Sequence, residues 1–335
     1  MRKIPVGILG VSGYTGLELI KILLEHPVFE ISYIGNSQGT QKLSEIHPCL
    51  EGIFEIPVLK ANAKEVAQNC ELVFLALPHK SSMEFAKEIL EYGVKVVDLS
   101  ADYRLKRENY EQNYQTTHID PHNLTRAVYG LVEYAREEIK SASLIANPGC
   151  YPTATLLALL PFLPFLDQTS VFVDAKSGVS GAGKKLSDNT HYPNINENLF
   201  SYSPLSHRHQ VEIEEKCEFF AGKALQVNFV PHLVPLNQGM LVSVFGRLKK
   251  EINPIEILYK RYQKEDFIRI RSQSVEIKNV RGTNFCDIFA TNRGKDIYIN
   301  AAIDNLLRGA SSQAVVNANL MCGLKEDLCI PKIPR

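Results

Sequence analysis

A short apolar strand followed by glycines at every third position restricts this chain more than any other feature. Residues 4–9 are mostly apolar, and Gly7, Gly10, Gly13 and Gly16 recur at intervals of three, with Tyr14-Thr15 among them. Leu17, Leu19-Ile20 and Ile22-Leu23-Leu24 continue at positions that suit a buried helix. Strand, glycine turn and helix make the first unit of a doubly wound nucleotide-binding fold. Glycine is needed because a pyrophosphate must reach the backbone and accept hydrogen bonds at the helix start. The spacing is G-x-x-G-x-x-G, so an ordinary surface turn also fits the motif taken alone.

The following segments extend the pattern. Residues 30–35 read as a second strand that ends at Asn36-Ser37-Gln38, with no acid at its tip and Lys42 nearby. An acidic residue there would hold the ribose 2′-OH of NAD and repel a 2′-phosphate, so its absence favours NADP. Residues 72–77 form a continuous apolar run of buried parallel-strand type. Pro78-His79-Lys80-Ser81 follows at its carboxyl end, then a helix to Glu91 and a strand over 94–99 that leads into Ser100-Ala101-Asp102-Tyr103-Arg104. Ligands of such folds bind at the carboxyl ends of the strands, so both segments are expected at the cleft, with His79 towards the nicotinamide half. The polar stretch 106–123 shows no clear periodicity and is read as a surface loop or short helix.

Chemistry concentrates at Asn147-Pro148-Gly149-Cys150-Tyr151-Pro152-Thr153, between the apolar runs 144–146 and 154–163. The reading is strand, tight turn, helix, with Pro152 in the first turn. Cys150 then faces free backbone N–H groups and the positive end of the helix dipole, which favours a thiolate. A small buried cysteine in a turn fits the same residues. The other six cysteines, Cys49, Cys70, Cys217, Cys286, Cys322 and Cys329, lie in no comparable turn. Their total with Cys150 is odd, and no C-x-x-C or Cys/His ligand spacing occurs, so neither a disulfide scaffold nor a metal site is expected.

The second half reads differently. A strand over 170–175 is followed by Lys176-Ser177-Gly178-Val179-Ser180-Gly181-Ala182-Gly183-Lys184-Lys185, a run whose glycines and serines expose N–H groups as a possible oxyanion or phosphate nest. His207-Arg208-His209 flanks the start of a helix over 210–219. Long β segments follow at 225–236, 239–248, 267–271, 284–292 and 296–304, so this part is expected to be a largely antiparallel sheet with a helix or two. His232 lies within one of these strands and reads as structural. Residues 310–322 are small and apolar and end at Gly323, a helix with a glycine C-cap.

At 335 residues the chain suits two domains. Lys+Arg and Asp+Glu are both 37, and no basic stripe argues for nucleic acid or an anionic membrane. The N-terminus lacks a signal-peptide pattern, and no apolar run has the length of a membrane span, which points to the cytoplasm.

Taken together, residues 10–16, 98–104, 129–131, 147–153 and 176–183, His207–His209 with Glu212-Ile213, and Pro231-His232-Leu233 form a set whose order and spacing resemble the N-acetyl-γ-glutamyl-phosphate reductases. The likeness runs from about Gly7 to Asn319, and the aspartate-semialdehyde dehydrogenases are the wider relatives. The resemblance implies a Rossmann-type nucleotide-binding domain over 1–147 and 310–335, to which the C-terminal helix returns. It further implies an α+β catalytic and oligomerisation domain over 148–309, and a homodimer or homotetramer formed through the second sheet. The implied reaction is an NADPH-linked reductive dephosphorylation of an acyl phosphate to an aldehyde, with inorganic phosphate released. Cys150 would be the nucleophile, and His209, or failing that His207, the acid–base group. Arg104, Ser180, Gly181 and Lys184 are the candidate substrate contacts. Gly10, Ser12, Gly13, Tyr14, Thr15, Gly16, Ser37, Pro78, Ser177 and Gly178 are the candidate cofactor contacts. Three positions depart from the family pattern: Gln238 where arginine is usual, Ser311-Ser312 in place of a small-Gly pair, and Val211 in place of proline. Reduction of another acyl phosphate, such as aspartyl phosphate, remains open, as do an NADP-binding regulator without catalysis and a cysteine hydrolase.

Overall fold

The computed structural model describes residues 2–334, and the chain divides into two compact units. The first comprises Met1–Pro148 and Ala310–Ile330, the second Gly149–Gly309 and Pro331–Arg335. The tail from Pro331 thus groups with the second unit, not with the nucleotide domain as the sequence suggests; the Asn284 N–H donates to the Pro331 carbonyl at 2.9 Å.

The first unit runs β1 (Ile4–Leu9), α1 (Tyr14–Leu24), β2 (Phe29–Asn36), α2 (Leu43–Ile46), β3 (Leu59–Lys60), α3 (Ala63–Asn69) and β4 (Leu72–Leu75). It continues through α4 (Ser81–Glu91), β5 (Lys95–Asp98), α5 (Arg107–Tyr114), α6 (Pro121–Leu124), β6 (Val128–Tyr129), α7 (Val132–Ser141) and β7 (Leu144–Ala146). All strand pairs are parallel, in the order β3-β2-β1-β4-β5-β7-β6. Helices interrupt the strands because parallel neighbours need a crossover. Leu72–Leu75 and most of β1 and β5 are buried, as expected for strands covered on both faces. Helix α1 starts at Tyr14, three residues before the apolar periodicity begins, because Gly13 serves as its N-cap. The polar stretch after Arg104 holds two short helices, anchored by the buried rings of Tyr110 and Tyr114, stacked 4.9 Å apart.

The second unit comprises α8 (Cys150–Leu159), β8 (Ser170–Gly178), α9 (Tyr192–Ile195), β9 (Phe200–Ser201), α10 (His209–Ala221), β10 (Gln226–Val234), β11 (Met240–Arg247), α11 (Pro254–Tyr262), β12 (Ile268–Ile270), β13 (Cys286–Arg293) and β14 (Asp296–Ile303). Its sheet has the order β12-β13-β14-β11-β8-β10-β9. The β10–β8 and β12–β13 pairs are parallel and the other four antiparallel. Alternation along β8 and β11 buries Val171, Val173, Val242 and Val244 on one face and exposes Phe172 and Phe245 on the other. Helix α8 is apolar all round, with Tyr151–Leu159 buried, and packs against β11, β14 and α10. Strand β8 outruns its apolar pattern and absorbs Lys176, Ser177 and Gly178, because β10 pairs with it through Gly178.

The chain then re-enters the first unit as α12 (Ser311–Met321), buried along its whole length against α1 and α7. Gly323 adopts φ +68° just beyond it, the left-handed turn that a C-terminal glycine provides. Among the described residues no helix is long and apolar enough to cross a membrane.

Candidate active site

Cys150 is the first residue of α8, after an extended Gly149 N-cap at φ −67°, ψ 157°. Its side chain is partly exposed although the rest of the helix is buried, and the first turn contains no acid. The thiol therefore lies where a helix presents unpaired N–H groups. The other cysteines differ: burial pushes the Cys70 thiol up to about 11 and the Cys217 thiol up to about 12. On its other side Cys150 meets Gly309, where an added Cβ would lie 2.6 Å from the cysteine Cβ and 2.5 Å from the Asn305 carbonyl oxygen. Only glycine fits there.

An aromatic cluster adjoins the same helix start. The rings of His207 and His209 are 4.9 Å apart, and each meets the Tyr151 ring edge-on, at 5.7 and 5.9 Å. His207 also meets Tyr202 at 5.5 Å, and the Tyr202 and Tyr151 hydroxyls are 3.2 Å apart. The two imidazoles have different environments. The backbone N–H of His209 donates to His207 Nδ1 at 3.2 Å, so His207 holds the first N–H of α10, whose N-cap is Arg208. Burial, and secondarily Arg208, holds His207 down at about 4. His209 is the first residue of α10. Burial pushes the Tyr202 phenol up to about 12 and the Tyr151 phenol higher, and the nearby Cys150 charge raises both further. Glu212, one turn into α10 and 1 % exposed, accepts the Gly149 N–H at 3.0 Å.

The glycine-serine run divides in two. Ser177 and Gly178 close β8 and are buried; a Cβ on Gly178 would strike Gln238 N and Leu236 O, both at 2.9 Å. Ser180 is buried in a single 3-10 turn, Val179–Ala182, and its hydroxyl accepts from Asn305 Nδ2 at 3.0 Å. Gly181 and Lys184 are exposed. Asn305 Oδ1 in turn accepts the Gly239 N–H at 2.6 Å. Gln238, the departure from the family pattern, donates its amide to both oxygens of buried Asp304 at 2.8 Å. His232 hydrogen-bonds the Ala175 carbonyl through Nδ1 at 3.2 Å within the sheet.

In the first unit, Gly10 adopts φ +96°, and a Cβ there would lie 2.2 Å from the Ala76 carbonyl oxygen, so the turn lies directly on the end of β4. Gly16 packs as closely on Gly10 and Val11, whereas the Cβ direction of Gly13 is open. Tyr14 is exposed and Thr15 half-buried; the Thr15 carbonyl accepts from Ser311 Oγ at 3.0 Å. Asn36 ends β2, accepts the N–H groups of Gln38 and Gly39 on Oδ1, and donates to Ser12 Oγ at 3.2 Å. Ser37 and Pro78 are exposed beside these turns. Asp102 is buried and caps α4 through the N–H groups of Lys80 and Met83. Nearby Asp98, also buried, accepts from Ser82 and Ser100, and burial pushes its carboxyl up to about 6, with Asp102 adding to the shift. Arg104 is 5 % exposed, and its guanidinium donates to the Asn147 and Leu99 carbonyls at 2.8 and 2.7 Å. The arginine expected to contact substrate also binds the ends of two strands together. Among the described residues no group of three or more His, Cys, Asp or Glu side chains is arranged to hold a metal ion.

Sequence reasoning assigned no role to Tyr202, Glu212 or Asn305. Glu212 carries a weak signal, as an acid three residues after His209 in a first helical turn. Glu212 stands in the motif that carries the family resemblance but receives no role there; Glu214 and Glu215 bond elsewhere, to Val227 N and to Lys216.

Comparison with known proteins agrees with this architecture. Residues 5–142 match the family model of the semialdehyde dehydrogenase NAD binding domain, and residues 150–305 that of the semialdehyde dehydrogenase dimerisation domain. The fold is also that of aspartate semialdehyde dehydrogenase II from Vibrio cholerae, with a TM-score of 0.73 at 17% identity over 96% of this chain and 99% of that one. An aspartate semialdehyde dehydrogenase with NADP from Candida albicans gives 0.70 at 15% over 96% and 98%. The class is therefore that of the semialdehyde dehydrogenases.

Within it, the chain is 63% identical to the N-acetyl-gamma-glutamyl-phosphate reductase of Wolinella succinogenes, over 99% of its own length and 98% of the relative's. The proteins of the same name from Campylobacter curvus and Halothermothrix orenii are 58% and 42% identical, covering 99% and 98% of the chain. The chain belongs to the N-acetyl-γ-glutamyl-phosphate reductase family.

Proposed function

We propose that this protein reduces N-acetyl-γ-glutamyl phosphate to N-acetylglutamate 5-semialdehyde with NADPH, releasing phosphate, in arginine biosynthesis in the cytoplasm. The observation that carries the reading is a partly exposed thiol at the N-terminus of a buried helix, whose next residue, Tyr151, meets the ring of a histidine that begins a second helix. The Cys150 thiolate attacks the acyl carbon, the C–O bond to phosphate breaks in the tetrahedral adduct, and phosphate leaves, so that a thioester on Cys150 remains. NADPH supplies a hydride to that thioester when bound. His209 gives a proton to the resulting hemithioacetal oxygen and takes it back as the aldehyde leaves, restoring the thiolate. His209 is preferred over His207 because His207 Nδ1 is committed to the first N–H of α10 and burial keeps that ring neutral. Ser180, Gly181 and Lys184 are the proposed substrate-side contacts. Arg104 supplies fixed positive charge on the phosphate side, and its bonds to Leu99 and Asn147 hold the strand ends in place.

The first unit fits a dinucleotide. Gly13 caps α1 without a side-chain bond, no acid lies in the first turn, and its Cβ direction is open, so a pyrophosphate can approach these N–H groups. The proposed contacts run through Gly10, Ser12, Gly13, Tyr14, Thr15 and Gly16, with Ser37, Pro78, Ser177 and Gly178. Asn36 at the tip of β2 is a neutral amide that turns the chain towards Gln38 and Gly39, which supports NADP. Replacing exposed Ser37 with aspartate should weaken NADPH binding by like-charge repulsion and leave NADH within a few-fold. A titration that shows NADPH unaffected would place the 2′-phosphate elsewhere.

A homo-oligomer formed through the open face of the second sheet belongs to the same reading. Phe172, Phe245 and Tyr298 lie side by side in register across β8, β11 and β14, with Phe172 61% and Phe245 47% exposed. Such an aromatic stripe suits a self-complementary contact. Phe245→Glu should shift the protein to a smaller species in sedimentation, and an unchanged mass would move the interface off this face.

The activity itself is tested in reverse. Phosphate-dependent NADP reduction should occur with N-acetylglutamate semialdehyde and be far weaker with aspartate semialdehyde. The opposite preference would favour the aspartyl reaction, and no reduction with either would favour the non-catalytic readings.

A further inference from the structure

Helix α10 carries several acids, and they do different things. Glu214 accepts the Val227 N–H at 2.8 Å and ties the helix to β10, and Glu215 pairs with its neighbour Lys216 at 2.9 Å. Glu212 turns inward, is 1 % exposed, and accepts the N–H of buried Gly149 at 3.0 Å. Gly149 is the N-cap of α8, and Glu212 itself lies in the first turn of α10. One carboxylate therefore belongs to the N-terminal ends of two packed helices. Both macrodipoles favour a negative group there, and the bond it accepts is charge-assisted. The residues that begin these helices are Cys150 and His209.

We infer that Glu212 is a positioning residue that locks the start of the cysteine helix to the start of the histidine helix, and so fixes the thiol relative to the imidazole. The inference rests on the reading of Cys150 as nucleophile and His209 as acid–base group. Glu212 acts through the Gly149 N–H and touches no reacting atom in this scheme. Without the carboxylate, the two helix starts lose their charge-assisted bond and keep only the edge-on contacts of Tyr151 with the histidine rings and the packing further along. Misplacement of about 1 Å is enough to cost on the order of a hundredfold in rate. The same carboxylate has a second, opposite effect. A negative charge beside the helix start disfavours a thiolate there, so removing it should make the thiol more reactive.

The two effects give a signature that a general loss of structure would not. Glu212→Gln keeps an acceptor for Gly149 but loses the charge; Glu212→Ala loses both. Turnover, KM and NADPH affinity should be measured for each, with the rate at which iodoacetamide modifies Cys150 at neutral pH, the modified residue being confirmed by peptide mass. The expected kcat is lower by up to about tenfold for Glu212→Gln and by roughly a hundredfold for Glu212→Ala. KM and NADPH affinity should stay within a few-fold, while Cys150 alkylation becomes a few-fold faster in Glu212→Gln. If Glu212→Gln matches the wild type in both kcat and alkylation, the inference is wrong, including the case in which Glu212→Ala merely fails to fold. Parallel loss of turnover and alkylation together with a lowered Tm would reduce Glu212 to a structural residue and also overturn it. Should alkylation of wild-type Cys150 leave turnover intact, the nucleophile reading itself fails, and the inference with it.

Discussion

Replacing Cys150 with serine should abolish turnover while leaving NADPH affinity within a few-fold of wild type. A serine hydroxyl has almost no alkoxide population at neutral pH, whereas a thiol at a helix N-terminus can supply thiolate. The substitution is nearly isosteric, so the contact with Gly309 and the N-terminal turn of α8 should survive. The dinucleotide turn Gly10–Gly16 lies in the other unit, which is why its affinity should be spared. Rapid-quench measurements should find no acyl-enzyme in the serine variant. Turnover near the wild-type rate would remove Cys150 from the chemistry and return the site to the cofactor-binding regulator considered at the outset.

The second large effect separates the two histidines. His209→Asn should lower kcat by roughly 10²–10⁴, the usual worth of a positioned acid–base group, with a smaller change in KM. His207→Asn should act mainly on stability. Its Nδ1 accepts the first N–H of α10, and loss of one such hydrogen bond typically costs about 1 kcal/mol. The pH dependence gives an independent check. His207 is held down at about 4, below its unfolded value of 6.5, so its neutral form contributes stability that is fully present above pH 6.5 and lost as pH falls towards 4. The asparagine variant should therefore lose the part of the acid-side destabilisation that falls between these values. Its pH–rate profile near neutrality should match the wild type. If His207→Asn is the severe variant and His209→Asn nearly silent, the roles are exchanged. Two silent variants would move the acid–base function to another residue, with His232 the next to examine.

The course of the chain was largely legible in the sequence because it follows from periodicity. Continuous apolar runs marked β1, β4 and β5, and the proline and glycine around Cys150 marked a strand-to-helix turn. Periodicity misplaces boundaries where another force sets them. Gly13 starts α1 before any apolar residue calls for a helix, and pairing with β10 carries β8 through Ser177 and Gly178, which look like loop. The site was legible as a list of residue types and much less as an arrangement. Arg104 reads as a substrate contact, and nothing in the sequence shows that its guanidinium also holds two backbone carbonyls. The two histidines look equivalent in sequence, and a single 3.2 Å bond from a backbone N–H distinguishes them. Gln238 departs from the family pattern in sequence, and only the fold shows its Nε2 donating to both carboxylate oxygens of Asp304. Such facts depend on which atoms meet, whether two residues apart, as in the histidine pair, or 66 apart, as for Gln238 and Asp304, and no pattern of residue types encodes them.

The chain leaves the first unit after Pro148 and returns at Ala310, and these two points are close: Asn147 Nδ2 donates to the Ala310 carbonyl at 3.2 Å. Seen as modular architecture, Gly149–Gly309, the bulk of the second unit, is an insert spliced into one loop of a nucleotide-binding domain, and only the tail from Pro331 joins that unit separately. Domain insertions are tolerated where the ends of the insert lie near each other. Cys150 is the second residue of that insert and Gly309 the last, so the cysteine travels with the insert. A chain built this way can remodel the inserted segment, Cys150 included, and leave the dinucleotide turn of the first unit intact.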